Sequence, residues 1–379
     1  MKSIYAYISA IFTLLFAGCK QPYEPPAIKG DNRYLVVEGV INTAANSRTT
    51  IVLSRTRNLV DTFLTSLEKG AVIRIESSRG AFYSLADQGS GAYTSALLNL
   101  DTSDNYRLRI FTSNGQEYIS DLVQAQPTPP IDSITWKKEN EVTIYASTHN
   151  PQNNTKYYRW DFTETWQYRP VNETDMGVNV GMIFYRDSTN QIYNCWREQN
   201  GTDIVLASTV KLSQDVIDHI PLTVIAENSE RLGVRYSIIV RQYGLTENGY
   251  QYWETLQKNT QKLGSLFDAQ PSQLKSNIRN VNRPAEPVIG YLSACNIEVQ
   301  RIFIRNSEVA PWVGMASSPS CGNTVMLPVN STNYLIYNYS DTTYAPYYFC
   351  CSGGALVVAK KDCLDCTRRG GTNQKPSFW

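Results

Sequence analysis

Residues 157–169 read YYRWDFTETWQYR, and this stretch decides the fold class. With the exception of Glu164, one face of the stretch carries large aromatic side chains: Tyr158, Trp160, Phe162, Trp166 and Tyr168. The side chains between them are charged or polar, from Arg159 to Gln167. Alternation with a period of two is typical of a β-strand whose two faces meet different surroundings. The sequence therefore predicts a long strand with one aromatic face.

Two interpretations of this aromatic face remain open. In the first, it is the inner face of a core strand that a second sheet covers. In the second, Tyr158, Trp160, Trp166 and Tyr168 form a platform for a ligand, because the faces of Trp and Tyr rings stack on sugars. Either interpretation places the strand in a domain that is mainly β.

The chain before this strand also reads as short strands. Residues 34–37 form a β-branched run, and in residues 106–110 apolar side chains alternate with two arginines. Asn114-Gly115 then predicts a tight hairpin turn. Short strands and turn signals at this spacing predict an immunoglobulin-like β-sandwich over residues 33–126.

A proline-rich segment, PTPP at residues 127–130, predicts the domain boundary, because proline interrupts a strand ladder. We expect residues 131–379 to form a larger β-sandwich-like domain. One helix is predicted within it over residues 247–263, with Thr246 as N-cap and Gly264 just beyond its end. The chain ends in two aromatic residues, which we expect to dock and fill part of a core.

The N-terminus resembles the signal peptide of a bacterial lipoprotein. One basic residue precedes an apolar run at residues 4–16 that is short for a membrane-spanning helix. The run closes with LFAGC at 15–19, which resembles a lipobox, so the thiol of Cys19 would carry a diacylglycerol. We expect cleavage after residue 18, a lipidated tether over residues 19–32, and attachment of a soluble body to a membrane through the acyl chains.

The cysteines predict disulfides in the second half of the chain. After Cys19 is lipidated, seven remain: Cys195, Cys295, Cys321, Cys350, Cys351, Cys363 and Cys366. Export to an oxidising compartment permits bridges, and an odd number leaves at least one cysteine without a partner in this chain. Bridges between the 350/351 pair and the 363/366 pair are possible, and pairings with Cys295 or Cys321 remain open. A four-sulfur zinc site built from the C-terminal cysteines is the alternative.

Composition excludes a nucleic-acid partner. Loss of Lys2 with the signal peptide changes 35 basic and 34 acidic residues to 34 of each, and no basic stripe is present. The chain contains 25 tyrosines, which suit half-buried strands and also contacts with carbohydrate or peptide.

Residue patterns for catalysis are scarce. The two histidines, His149 and His219, are not accompanied by a GxSxG or an HExxH motif. We therefore predict no enzyme activity, no cofactor and no metal. A pair of carboxylates for glycan hydrolysis leaves no sequence signature, so a glycan hydrolase stays as one alternative.

Several segments together resemble the Bacteroidota lipoproteins classified as domain of unknown function 4249. These segments are the lipobox, Leu35-Val36-Val37-Glu38-Gly39, Tyr252-Trp253, Gly264-Ser265-Leu266-Phe267-Asp268, Gln270-Pro271-Ser272, Asn277-Ile278, Gly290-Tyr291 and the ending CLDCTRRGGTNQKPSFW. The resemblance covers nearly the whole mature chain. It implies an outer-membrane lipoprotein, often encoded beside a SusC-like TonB-dependent transporter, and it supplies no catalytic residues.

The resulting hypothesis is a non-catalytic accessory or ligand-binding subunit of a TonB-dependent nutrient uptake system. Its ligand, a small molecule or a glycan, is not identified by the sequence. The body faces either the periplasm or the cell surface. The alternatives are a surface adhesin or envelope scaffold, which needs no small-molecule pocket, and an envelope glycan hydrolase.

Overall fold

The computed structural model describes residues 33–56, 66–179, 182–261, 274–314, 321–322, 324–327, 343–351 and 354–379. The first strands are β1 (Leu35–Asn42), β2 (Thr50–Arg55), β3 (Ser66–Leu67), β4 (Val72–Ser77), β5 (Phe82–Asp87), β6 (Ala92–Ser95), β7 (Asn105–Phe111), β8 (Glu117–Ser120) and β9 (Val123–Gln126). Next come β10 (Ile131–Lys138), β11 (Val142–His149), β12 (Tyr157–Tyr168), β13 (Met176–Asn179), β14 (Met182–Tyr185), β15 (Cys195–Asn200), β16 (Val205–Ser208) and β17 (Val216–Ile225). The remaining elements are β18 (Arg235–Gly244), helix α1 (Glu247–Gln261), β19 (Ile278–Asn280), β20 (Ser293–Cys295), β21 (Glu298–Arg305), β22 (Val325–Leu327), β23 (Tyr344–Cys350), β24 (Ala355–Lys360) and helix α2 (Lys361–Leu364). The protein is thus mainly β, as the sequence predicts.

The first sheet closes on itself and is barrel-like. Its strands pair in the order β7-β4-β5-β6-β2-β1-β20-β9, and β9 pairs again with β7. The pairs are antiparallel except that β20 runs parallel to both β1 and β9. The immunoglobulin-like β-sandwich predicted for residues 33–126 is not confirmed, because the ladder returns to its own first strand instead of forming two facing sheets.

Apolar side chains fill the interior of this barrel-like sheet. On β1, Leu35 and Val37 point inward and are buried. On β7, Tyr106, Leu108 and Ile110 are buried, whereas the two arginines between them are only partly covered. The period-two pattern seen in the sequence therefore marks the inner face correctly.

The chain returns to the first sheet late in the sequence. β20 lies beside Val40–Asn42 of β1, and β19 pairs with β8. Ile278, Leu292 and Ala294 belong to the barrel-like core. The sequence assigns this segment to the second domain, 131–379, whereas in the structure it pairs with strands of the first sheet and packs in its core. β20 pairs in parallel with β1, which lies more than two hundred residues earlier, so no local sequence pattern indicates this pairing.

A second core lies between two further sheets. One contains β15-β12-β18-β21 with β16 beside β12, and the other contains β10-β11-β17. Ile144 of β11 shares this core with Trp160 and Phe162 of β12 and with Ile238 of β18. β12, the strand with the aromatic face, therefore lies at the centre of this core.

Helix α1 begins where the sequence predicts. The Thr246 hydroxyl accepts a hydrogen bond from the backbone N–H of Gly249 at 3.2 Å, which is an N-cap contact. Lys258 pairs with Glu254 one turn earlier at 2.9 Å. The helix is described to Gln261, so its predicted end at residue 263 lies outside the described residues.

The C-terminal part forms a small sheet, β22-β24-β23, followed by α2 and a docked tail. The guanidinium of Arg301 lies 3.6 Å from the ring centre of Phe378. The Trp379 ring lies 5.7 Å from Phe303 and 6.4 Å from Trp196. The tail docks as predicted, but Phe378 remains 37% exposed, so this ring lies on a surface and does not fill a core. Within the described ranges, no helix is both long enough and apolar enough to cross a membrane.

Candidate ligand-binding site

A cavity of about 520 Å³ lies where the barrel-like sheet, the second core and α1 meet; we call it the junction cavity. Its walls are mostly apolar and aromatic: Val36, Val40, Trp253, Leu256, Ile289 and Tyr291. Its charged lining groups are Glu38, Arg48, Arg159 and Asp161. Concave apolar walls with a few converging polar groups are typical of small-molecule sites.

Two glycines allow the backbones that form one wall to come close together. Gly39 has φ +138° and Gly290 has φ +133°, a backbone conformation that other residues rarely adopt. A Cβ on Gly290 would lie 2.2 Å from the carbonyl oxygen of Val37. The N–H of Val37 donates to the carbonyl of Ile289 at 2.8 Å, and the N–H of Ile289 donates to that of Leu35 at 2.9 Å. These bonds fix β1 against the segment that follows β19.

Arg159 is the main polar group of the cavity. Its guanidinium carbon lies 4.2 Å from the ring centres of both Tyr243 on β18 and Trp253 on α1. Its Nη2 donates to a carboxylate oxygen of Asp161 at 3.2 Å, whereas its buried Nε has no partner among the described residues. A buried donor without an acceptor is unfavourable, so Arg159 is incompletely satisfied in this structure.

Asp161 and two arginines lie together at the end of the cavity that β12 forms. Asp161 lies between two guanidiniums, accepting from Arg159 and from the Nε of Arg241. Burial lowers the pKa of Arg241, but the negative charge of Asp161 outweighs burial, so the pKa of Arg241 lies above its ordinary value. Arg241 does not itself line the cavity, and the four charged lining groups, Glu38, Arg48, Arg159 and Asp161, sum to zero. An anionic group on a ligand would therefore bind through a direct contact with the Arg159 guanidinium.

The tyrosines of the cavity are uncharged at neutral pH. The rings of Tyr252 and Tyr291 lie 5.3 Å apart. Burial raises the pKa of both hydroxyls above the ordinary value for tyrosine. Both rings therefore offer an apolar face and a neutral hydroxyl.

The ligand platform considered from the sequence is not formed. Tyr158, Trp160, Trp166 and Tyr168 are between 0% and 4% exposed. The Trp160 indole N–H donates to Gln242 at 2.8 Å, and the Tyr168 hydroxyl donates to the carbonyl of Cys366 at 2.8 Å. All four rings are buried in the second core, so the core-strand interpretation is the one that the structure supports.

Four of the predicted cysteines form two disulfides, Cys195–Cys366 and Cys321–Cys363. The bridges considered between the 350/351 pair and the 363/366 pair are absent, because Cys363 and Cys366 pair with cysteines far earlier in the chain. Cys295, Cys350 and Cys351 are free. The sulfurs needed for the alternative zinc site are therefore not available together. Among the described residues, no group of three or more His, Cys, Asp or Glu is placed to hold a metal ion.

Both histidines lie on the surface beside a carboxylate. The Nδ1 of His149 is 2.8 Å from both oxygens of Asp132, and the Nδ1 of His219 is 2.5 Å from an oxygen of Asp218. Ser213 lines the same small cavity as His149, but no hydrogen bond joins their side chains in the described part of the chain. The Ser147 hydroxyl donates to the same Asp218 carboxylate at 3.2 Å, but within the described chain no hydrogen bond joins it to the His219 imidazole, so neither histidine is placed to activate a serine. Cys19, the signal peptide and the tether lie outside the described residues.

The sequence alone did not identify the junction cavity. Arg159 appears in the sequence only as a polar residue between aromatic ones, and no periodicity connects it with α1. A signal was nevertheless present, because three segments that carry the family resemblance meet at the cavity: residues 35–39, 252–253 and 290–291. What the sequence could not show is that these segments meet in space.

The chain belongs to the family described as Domain of unknown function (DUF4249), whose model matches residues 20–301. No curated protein matches the chain. Among solved structures, a DUF4785 family protein from Legionella pneumophila is 9% identical with a TM-score of 0.19, covering 55% of this chain and 52% of its own. The adhesin InvE from Yersinia pseudotuberculosis is 10% identical with a TM-score of 0.15, covering 86% of this chain and 73% of its own. TM-scores this low do not indicate a shared fold.

Proposed function

We propose that this protein is an outer-membrane-anchored lipoprotein that acts as a non-catalytic accessory or ligand-binding subunit of a TonB-dependent nutrient uptake system. The observation that carries the binding role is the junction cavity, with its aromatic walls and its incompletely satisfied arginine. The lipid anchor rests on the lipobox around Cys19, and the family match begins at the next residue. The transporter partner rests on the family resemblance.

The lining of the junction cavity indicates the chemistry of the ligand. The ring of Trp253 and the paired rings of Tyr252 and Tyr291 suit a flat apolar face, such as a sugar ring or an aromatic group. Arg159 suits an anionic group at one end of the ligand, because a guanidinium binds a carboxylate through two parallel hydrogen bonds. We therefore propose a small molecule or glycan unit that combines a flat face with a carboxylate or a similar anion.

The partner role is tested by mild detergent extraction of the tagged, lipidated protein from its native outer membrane, followed by mass spectrometry. We expect a TonB-dependent transporter to copurify in stoichiometric amount. Deletion of the gene should also lower uptake of the transporter's substrate. Recovery of the lipoprotein alone, together with unchanged uptake after deletion, would rule out the accessory role.

The binding role is tested by calorimetry with panels of acidic and neutral oligosaccharides and of aromatic acids. We expect Trp253→Ala to weaken binding by about tenfold or more, which corresponds to ~1.4 kcal/mol. Arg159→Gln should weaken only the anionic ligands. Phe82→Ala is the matched control, since this ring is 63% exposed and lies outside the cavity. Binding that both cavity variants leave unchanged would place the ligand elsewhere.

A further inference from the structure

The adjacent cysteines at the β23–β24 turn are the remaining reactive pair of the described chain. Cys350 is the last residue of β23, and Cys351 opens the turn that leads to β24. The Sγ atoms of Cys350 and Cys351 lie 2.8 Å apart, closer than two unbonded sulfurs normally approach. Cys351 is exposed to solvent and Cys350 is partly exposed. The two thiols are therefore both accessible and already in contact.

The state of the other cysteines also favours a pairing between Cys350 and Cys351. Four of the seven cysteines after Cys19 are already joined in the two disulfides. Cys295 is 0% exposed and lies in a separate apolar cluster with Tyr243 and Leu245. Among the described residues, the only accessible cysteine partner for Cys350 is therefore Cys351.

The backbone at this turn has an uncommon conformation, which bears on the small ring that a disulfide between adjacent cysteines would close. Cys351 has φ +66°, a value that few residues other than glycine adopt. The N–H of Gly354 donates to the carbonyl of Cys351 at 3.1 Å, which closes the turn. Adjacent Cα atoms are about 3.8 Å apart, whereas disulfides usually join Cα atoms ~4.4–6.8 Å apart. A bond between these neighbours would therefore be strained, and strained, exposed disulfides are more easily reduced.

We propose that Cys350 and Cys351 form a redox site, which alternates between a vicinal disulfide and a vicinal dithiol. Oxidation joins the two sulfurs and removes two protons and two electrons. A disulfide-bearing oxidant accepts them and leaves as two thiols. The reduced pair is a bidentate ligand for soft, thiol-seeking ions such as trivalent arsenic.

The oxidised state is tested on the full-length protein by alkylation in denaturant without reductant, followed by peptide mass spectrometry. We expect the peptide that contains Cys350 and Cys351 to carry no alkyl group and to be two hydrogen atoms lighter than the dithiol. In native buffer with increasing dithiothreitol, this pair should become alkylated before Cys195–Cys366 or Cys321–Cys363 opens. Alkylation of both cysteines without reductant, or a bond to any other cysteine, would overturn the proposal.

The reduced state is tested with phenylarsine oxide after mild reduction. We expect the wild-type protein to bind one equivalent, and Cys350→Ser and Cys351→Ser to lose that binding while their circular dichroism stays unchanged. Cys295→Ser is the control and should bind like the wild type. Equal binding by the single-cysteine variants would show that the pair does not act as a chelating dithiol, and would also overturn the proposal.

Discussion

Glu164 shows how a single exception to a pattern can be explained by the structure. It is the only charged residue on the aromatic face of β12, and it is 2% exposed. Arg231 Nη1 lies 3.1 and 3.0 Å from its two oxygens, and the Tyr236 hydroxyl donates to it at 2.7 Å. A buried carboxylate is tolerated because these donors replace water. The partners lie about seventy residues away in sequence, so the exception is visible in the sequence but its reason is not.

Removal of Arg231 should destabilise the second core strongly. Arg231→Met leaves the Glu164 carboxylate buried without its cation, and such losses typically cost ~3–5 kcal/mol of unfolding free energy. Urea unfolding followed by tryptophan fluorescence measures the change. Lys137→Met is the control. The side chains of Lys137 and Glu139 are 68% and 71% exposed, so their ion pair should contribute under ~1 kcal/mol to the free energy of unfolding. Equal, small losses in both variants would contradict this account.

Ionisation of Tyr106 should make the protein less stable at alkaline pH. Burial raises the pKa of its hydroxyl from 10.0 to about 12. Between these values the folded chain keeps a proton that the unfolded chain has lost. The contribution of the protonated Tyr106 hydroxyl to the free energy of unfolding is therefore fully present below about pH 10. It is lost towards pH 12, by at most ~1.4 kcal/mol per pH unit. Tyr106→Phe should reduce this slope in urea unfolding experiments between pH 9 and 12. An unchanged slope in Tyr106→Phe would refute the assignment.

At the scale of elements, Gly290 joins the barrel-like sheet to the junction cavity. Gly290→Ala should destabilise the protein, because its Cβ would meet the Val37 carbonyl oxygen at 2.2 Å and its φ of +133° would also become strained. Positive-φ strain and overpacking each cost roughly 1–3 kcal/mol. Gly80→Ala is the matched control, since φ is +94° there but no atom lies within 4 Å of the new Cβ. The thermal unfolding temperature should fall more in Gly290→Ala than in Gly80→Ala. Equal decreases would mean that the contact with the Val37 carbonyl does not constrain residue 290.

The sequence predicted the elements better than their arrangement. The alternation on β7 and β12 and the N-cap at Thr246 are local features, since each depends on side chains only a few positions apart. The disulfide partners, the place of β20 and the cavity around Arg159 depend on contacts between distant segments. Periodicity records which face of an element is buried, but it does not record which element covers that face. The predicted boundary at residues 127–130 does lie between β9 of the first sheet and β10 of another sheet, but the later return of β19 and β20 to the first sheet could not be foreseen, for the same reason.

At the scale of the whole molecule, closure of the first sheet unites both halves of the chain. The gap between β1 and β9 is closed by β20, which comes after all the strands of the second core except β21. The same late segment contributes Ile289, Gly290 and Tyr291 to the junction cavity. Folding of the barrel-like sheet and assembly of the candidate ligand site therefore depend on one segment. This dependence links the stability of the first sheet to the shape of the cavity.

A fragment ending at residue 126 should consequently not form the native barrel-like sheet. Residues 33–126 contain β1 and β9 but lack β20, so both strands would expose unpaired backbone groups, and exposed strand edges promote aggregation. Added in excess, a peptide of residues 274–298 should restore a cooperative unfolding transition, followed by circular dichroism, because it supplies both β19 and β20. A scrambled peptide of the same composition is the control. If the fragment alone unfolded cooperatively with undiminished stability, ring closure would be dispensable and residues 33–126 would be an independent domain after all. Rescue by the native peptide alone would instead establish that the return of the chain is what completes the first sheet.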